Sequence, residues 1–364
     1  MLRPVSETRP ASTALLDHFR EQAGFCLAMG SPFTAGLVEA MADDLEAGGP
    51  VADLVGAWPG SPRADAVSLR LTGALHAAAM TGRDEALRFA YLPPGPRWDV
   101  ALWPVLRDFL ARERDWVADF LRLPPQTNEV RRSIGLLAGF LHLADRFGSP
   151  IDTLEIGASA GLNLSWDRFA YRTRSWSWGG PSAVSIDTDW RGPPPPLPEI
   201  SVRSRRACDL NPLDMRNPAE RLRLRSYVWP DQTDRLARFD AAVDLALASG
   251  VDVERADAAD WLESRLAERK SAGLTVVYHS VFLQYPPRDA RARIVRAIEE
   301  AGARATPSAP LAWLRLEPEA LFGPPRSNRF LIDVVTWPGG ARELLAETDG
   351  HVRFVDTRVA DPAS

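Results

Sequence analysis

The spacing of hydrophobic residues changes at Gly148-Ser149-Pro150, and that change limits the folds open to the chain. Before it, apolar residues recur at intervals of three and four. Val130, Ile134, Leu137, Leu141 and Ala144 form one stripe, and Leu102, Leu106, Phe109, Trp116 and Phe120 form another that is interrupted at Glu113. Turn-like breaks fall at 60–65, 92–98 and 123–128, the last placing Thr127 or Asn128 to cap the following helix. After the change, short apolar runs alternate with helical stretches, the pattern of βαβ units and a mostly parallel sheet.

A chain of 364 residues exceeds what one hydrophobic core usually organises. Two domains are therefore expected: a helical one over 1–149, covering the substrate, and an α/β one over 150–364. Seven strands are expected in the second, at 151–156, 201–209, 251–257, 274–280, 310–317, 329–337 and 351–359. Helices at 160–169, 233–249, 258–270 and 289–302 would separate the first five, and the last two strands would pair antiparallel through ARELLAETDG. Residues 172–199 interrupt this path with a polyproline-like GPPPPLP and with Trp176, Trp178 and Trp190. They read either as an aromatic hairpin packed on the domain or as a flap that touches substrate.

Composition narrows the partners. A formal charge of -5 gives no global attraction to nucleic acid or to an anionic membrane, and Lys270 is the only lysine. The cysteines, Cys26 and Cys208, match no metal-binding or disulfide spacing, which suits a reducing, cytoplasmic compartment. The N-terminus shows no apolar signal core, and no run approaches 18 uninterrupted apolar residues. A small molecule is the expected partner.

The stretch IDTLEIGASAGLNL at 151–164 carries the chemistry. GASAG satisfies the G-x-S-x-G pattern of a hydrolase elbow, and EIGASAG equally suits the first glycine turn of a nucleotide-binding βαβ unit. An elbow sits in mid-sheet with an oxyanion loop upstream, whereas this turn follows the first strand. Glu155 also favours the nucleotide loop, because a carboxylate buried two residues before the turn needs a cationic partner or loop amides. Asp209, in CDLNP, falls at the carboxyl end of the second strand, where an acid reaches a ribose diol. Asp257, followed by Ala258, falls at the next strand end and suits an adenine amino group. Each acid has a structural alternative: an Asx turn before Asn211-Pro212 for Asp209, and a helix cap for Asp257.

On these residues the chain resembles the class I S-adenosylmethionine-dependent methyltransferases over residues 150–360, with EIGASAG, CDLNP, RADA and VVYHSVFLQY in matching order. It is also similar, over nearly its whole length, to domain-of-unknown-function family 2332 of bacteria, through EIGASAGLNL, CDLNP, VWPDQ and HSVxxQY. The first resemblance implies a doubly wound, Rossmann-like sheet and S-adenosylmethionine as cofactor. Glu155, Gly157, Ala158, Ser159 and Gly161 would approach its methionine part, Asp209 the ribose, and Asp257 with Ala258 the adenine. Ser159 departs from the pattern, since glycine is more usual there, and Asp209 arrives later than usual because of the 172–199 insertion.

His279 ends the fourth strand, from which methyltransferases face their substrate, and imidazole moves protons near neutral pH. It is the expected base or orienter, with Gln284 and Tyr285 lining the same mouth, although a strand-end histidine is commonly a hydrogen-bonded structural residue. No metal site is expected, as there is no HExxH or Cys/His cluster. The segment Tyr227–Gln232 is placed near Asp209 by packing alone. The rival functions are a binding or regulatory protein on the same fold, and a serine hydrolase using Ser159 with His279 or His351.

Overall fold

The computed structural model describes residues 12–91, 95–250, 252–270, 272–324 and 327–359. The first eleven residues, residues 92–94 of the 92–98 break and the first residue of the expected 251–257 strand lie outside that set. Helices run in the order α1 (Thr13–Ala28), α2 (Pro32–Glu46), α3 (Pro50–Val55), α4 (Val67–Thr81), α5 (Glu85–Tyr91), α6 (Trp103–Arg112), α7 (Arg114–Leu121), α8 (Arg132–Phe147), α9 (Pro218–Ser226), α10 (Thr233–Ser249), α11 (Ala258–Ala267) and α12 (Arg288–Ala303). The strands are β1 (Ile151–Ile156), β2 (Ala170–Arg172), β3 (Ser177–Trp178), β4 (Ser185–Asp187), β5 (Asp189–Arg191), β6 (Val202–Asp209), β7 (Glu254–Arg255), β8 (Leu274–Ser280), β9 (Leu311–Pro318), β10 (Phe330–Trp337), β11 (Ala341–Thr348) and β12 (Phe354–Asp356).

Two compact units result. One comprises residues up to Thr127 together with Asn217–Ala237, and the other comprises Asn128–Arg216 together with Arg238–Ser364. The helical unit closes around Phe19, Phe33, Met41, Leu71, Leu106 and Phe109, all fully buried. Its α6 and α7 are divided at Glu113, which the broken apolar stripe anticipates.

The boundary differs from the expected 149 because α8 belongs to the α/β unit. Its Gly135 and Gly139 lie one turn apart, and an added Cβ would come within 2.7 Å of Leu316 and 2.2 Å of Leu314, so β9 packs directly on the helix backbone. Asn128 does not cap α8, whose N-cap is Arg131; its Oδ1 accepts the N–H of Leu162 instead. Tyr227–Gln232 falls in the helical unit, whereas Asp209, its expected neighbour, belongs to the α/β unit. There Asp231 accepts from Ser31 Oγ and from the Phe33 N–H at the start of α2.

The α/β unit holds a nine-stranded, mostly parallel sheet in the order β5-β12-β11-β10-β9-β8-β1-β6-β7. Two strands exceed the seven expected. ARELLAET, rich in helix formers, is a strand between β10 and β12, so those two do not pair with each other. Pairing with both neighbours overrides its local propensity. The other addition, β5, comes from the 172–199 insertion and pairs parallel with β12 at the sheet edge. The rest of that insertion forms a small sheet, β3-β2-β4. Its tryptophans pack inward: Trp176 meets Trp190 edge-on at 4.8 Å, and Trp178 stacks on Trp166 at 6.2 Å. That is the packed-hairpin alternative. Two further elements are shorter than expected. The helix at 160–169 is a 3-10 turn, Leu162–Arg168, broken at Ser165, and the strand at 251–257 reduces to Glu254–Arg255.

Candidate functional site

From β1 the chain adds β6 and then β7 on one side, and β8 and then β9 on the other, all parallel. The first five main strands thus lie third-second-first-fourth-fifth, with a topological switch point between β1 and β8. In open α/β sheets the crevice outside the carboxyl ends at such a point is where ligands bind. Two segments border it here: the loop Gly157–Gly161 after β1, and Val281-Phe282 after β8.

Both segments are conformationally strained. Gly157 and Gly161 have φ of +69° and +70°, as glycine permits, yet Ser159 and Val281 also lie at +55°. A β-branched residue there is a genuine outlier, and such outliers persist only where surrounding structure holds them. For Ser159 the restraint is visible. Asp209 Oδ2 accepts the Ser159 N–H at 2.8 Å, and Oδ1 accepts the Asn211 N–H at 2.8 Å. The amides of Gly157 and Ala158 both reach the Cys208 carbonyl, at 2.9 and 3.1 Å. The loop is therefore tied to the end of β6.

The structure brings Glu155, Gly157, Ala158, Ser159, Gly161 and Asp209 together, with Asp257 and Ala258 at the adjoining strand end. Glu155 is buried and accepts a hydrogen bond from the Tyr278 hydroxyl at 3.0 Å. Burial, aided by the nearby Asp209 charge and opposed by the Tyr278 bond, raises its carboxyl to about 8. At neutral pH it is mainly protonated. Asp257 is the N-cap of α11: its Oδ1 accepts from the amides of Ala259 at 2.9 Å and Asp260 at 3.2 Å. Both structural alternatives for the acids are thus realised. Each oxygen of Asp209 and Asp257 still carries lone-pair capacity beyond the bonds it makes.

His279 does not face a mouth. It is completely buried, with Nδ1 2.6 Å from Glu317 Oε1 and Nε2 receiving the Trp313 indole N–H at 3.0 Å. Because an indole can only donate, Nε2 carries no proton and Nδ1 donates to Glu317. Neither nitrogen is left for an acceptor group or for Ser159, so the expected base becomes a positioning group. The same Glu317 oxygen accepts the amides of Phe282 and Leu283 at 2.8 and 3.1 Å. Tyr285 lies on the surface, 73% exposed.

Sequence reasoning missed Phe282, Glu317 and Trp313. Phe282 matters most: a Cβ on Gly157 would stand 2.1 Å from its ring, so that ring covers the face of the glycine. The run VVYHSVF held the signal, in that an aromatic follows directly on a fourth strand. Beyond the loop, Asn163 Oδ1, Ser165 Oγ and Trp166 Nε1 are buried without a hydrogen-bond partner. Trp166 stacks on Phe140 at 3.9 Å, and Phe140 meets Tyr278 edge-on, which connects these polar groups to the Glu155 side of the sheet.

Fold and site define a mixed α/β protein whose nine-stranded, mostly parallel sheet carries a strained glycine loop at its switch point. The chain belongs to the family described as "Uncharacterized protein conserved in bacteria (DUF2332)", whose model matches residues 16–357. No curated protein and no solved structure matches it. Among the described residues no helix is long and apolar enough to cross a membrane.

Proposed function

We propose that the α/β unit binds S-adenosylmethionine at the switch point and methylates a small molecule. One observation carries this reading: a left-handed glycine loop follows β1, with an acid at the carboxyl end of each of the next two strands, Asp209 and Asp257. The residues fit the group. Glu155 offers a buried carboxyl whose ionisation an ammonium would favour, and the small Gly157–Gly161 loop allows close backbone approach. Asp209 keeps acceptor capacity for a diol while bracing the loop, and the exposed Asp257 keeps Oδ2 outside its helix cap for an exocyclic amine. The Phe282 ring would turn aside from Gly157.

When bound, the cofactor supplies an electrophilic methyl group. The chain's part is then to hold the acceptor in line and to exclude water. His279 contributes by fixing Glu317, which fixes the amides of Phe282 and Leu283 beside the crevice. Calorimetric titration of the folded protein with S-adenosylmethionine and S-adenosylhomocysteine tests the reading. Saturable heat that falls about tenfold in affinity for Asp257→Ala is expected; no heat and no thermal shift at millimolar cofactor would overturn it.

A second reading, binding or regulation without transfer, is favoured by the commitment of both His279 nitrogens to buried partners. Cofactor binding with no methyl transfer to any pool of small metabolites would select it. The hydrolase reading would require a fluorophosphonate adduct on Ser159.

A further inference from the structure

A cavity lies within the α/β unit, between α12 and the β9-β10-β11 face, with a volume of about 350 Å³. It falls within the range of roughly 300–1,000 Å³ typical of small-molecule sites. Its walls are aromatic, formed by Trp313, Trp337 and Phe322, and three guanidiniums line it: Arg291, Arg315 and Arg342.

Two of the three cations, Arg315 and Arg342, are held in place before any ligand arrives. Arg315 donates Nε and Nη2 to the fully buried Asp333 at 2.7 and 2.8 Å, and Arg342 donates Nε to the same carboxylate at 2.5 Å. Arg315 also lies 4.4 Å over the Trp313 ring and 5.0 Å over Phe322, while Arg342 lies 4.5 Å over Phe322. Such stacking fixes the planar groups and leaves the remaining N–H donors, Nη1 of Arg315 and both Nη atoms of Arg342, outside the Asp333 pair. Arg291 has its Nε buried without a hydrogen-bond partner. Against three cations stand two carboxylates, Asp333 and the rim residue Glu299, so positive charge remains in an apolar enclosure. With Arg315 nearly buried and Arg342 partly exposed, this unbalanced positive charge favours an incoming anion.

We propose that this cavity is a binding site for a small organic oxyanion with a flat apolar body, the body lying between Trp313, Trp337 and Phe322 and the charged head meeting Arg291 and Arg342. Guanidinium suits carboxylate, sulfonate and phosphate alike, through paired N–H donors. Leu283 is common to this cavity and to the segment after β8, but the arginines and the aromatic walls call for the anion independently of the cofactor reading.

Fluorescence titration of the full chain with 8-anilinonaphthalene-1-sulfonate tests it, with N-phenyl-1-naphthylamine as the uncharged counterpart. One sulfonate per chain is expected, bound at least about tenfold more tightly than the neutral probe. Arg291→Gln should weaken the sulfonate about tenfold, and Glu299→Gln should tighten it a few-fold, because removing a rim anion favours an incoming one. Competition by 1-naphthoate and by 1-naphthyl phosphate ranks the head groups. Equal affinity for the neutral probe, displacement by neither competitor, or insensitivity to both substitutions overturns the proposal. Should Arg291→Gln fail to fold, the exposed Glu299→Gln decides alone, since adventitious apolar binding would not tighten on losing that charge.

Discussion

Asp209 Oδ2 accepts the N–H of Ser159 at 2.8 Å, so a carboxylate at the end of one strand holds the left-handed residue in the loop of its neighbour. The loop therefore has its shape before any ligand is present. Asp209→Ala leaves two amides without their acceptor and is expected to cost about 1–3 kcal/mol in urea unfolding. It should also weaken S-adenosylmethionine binding. Asp209→Asn, which keeps an acceptor oxygen for one of the two amides, should recover part of the stability.

Ser159 adopts a φ of +55° that glycine occupies without strain. Ser159→Gly is expected to raise stability by about 0.5–1 kcal/mol, the relief of the left-handed conformation outweighing glycine's greater unfolded entropy. Ser159→Val, a β-branched residue at the same φ, should cost at least about 2 kcal/mol. Chemical denaturation of the three forms checks the order, and a Val variant as stable as wild type would contradict it.

Glu155 makes stability fall with pH. Its carboxyl titrates near 4.5 when unfolded and at about 8 when folded, chiefly through burial. Between those values the unfolded chain has released a proton that the folded chain retains. The stabilisation is complete below about 4.5 and is lost as pH rises through 8. Its size is on the order of 5 kcal/mol. Glu155→Gln should flatten that part of the stability-versus-pH curve and be more stable than wild type at pH values above 8; parallel curves for the two proteins would refute the assignment.

The buried chain Trp313–His279–Glu317 makes His279 a structural joint. His279→Ala strands an indole N–H and a carboxylate in the core, and is expected to cost about 2–4 kcal/mol. If positioning is its role, cofactor affinity should fall because Glu317, which accepts the Phe282 and Leu283 amides, loses the partner that fixes it. Preserved stability would mean that His279 is not joined to its partners as described.

In the helical unit, Asp231 takes both the Ser31 hydroxyl and the Phe33 amide, at 2.5 and 2.9 Å, where α2 begins. Asp231→Ala is expected to lower stability by about 1–2 kcal/mol, the usual cost of losing a helix N-terminal acceptor. The melting temperature should drop while S-adenosylmethionine affinity at a temperature where the protein is folded stays unchanged.

The strands at the centre of the sheet, short and rich in isoleucine, valine and threonine, were legible. IDTLEI and LTVVYHS match β1 and β8 residue for residue, because strands buried on both faces need little beyond length and β-branching. ARELLAET was not legible, since alanine, leucine and glutamate favour a helix in isolation and only two hydrogen-bonded neighbours make it a strand. Likewise α8 looked like one more helix of the first domain. Its glycines at 135 and 139 were the overlooked sign of close packing on a sheet.

The sequence by itself determined the glycine loop after the first strand and the acids at the next two strand ends, because backbone conformation and strand period are local properties written at fixed spacings. Only the tertiary structure decided what those side chains touch. Asp209 braces Ser159, Phe282 covers Gly157, and Trp313 commits His279 to the core, each across dozens of residues of chain. The arginine cavity belongs to the same category: its cations come from a helix and two strands, and Arg315 and Arg342 meet on Asp333 only after β9, β10 and β11 have paired.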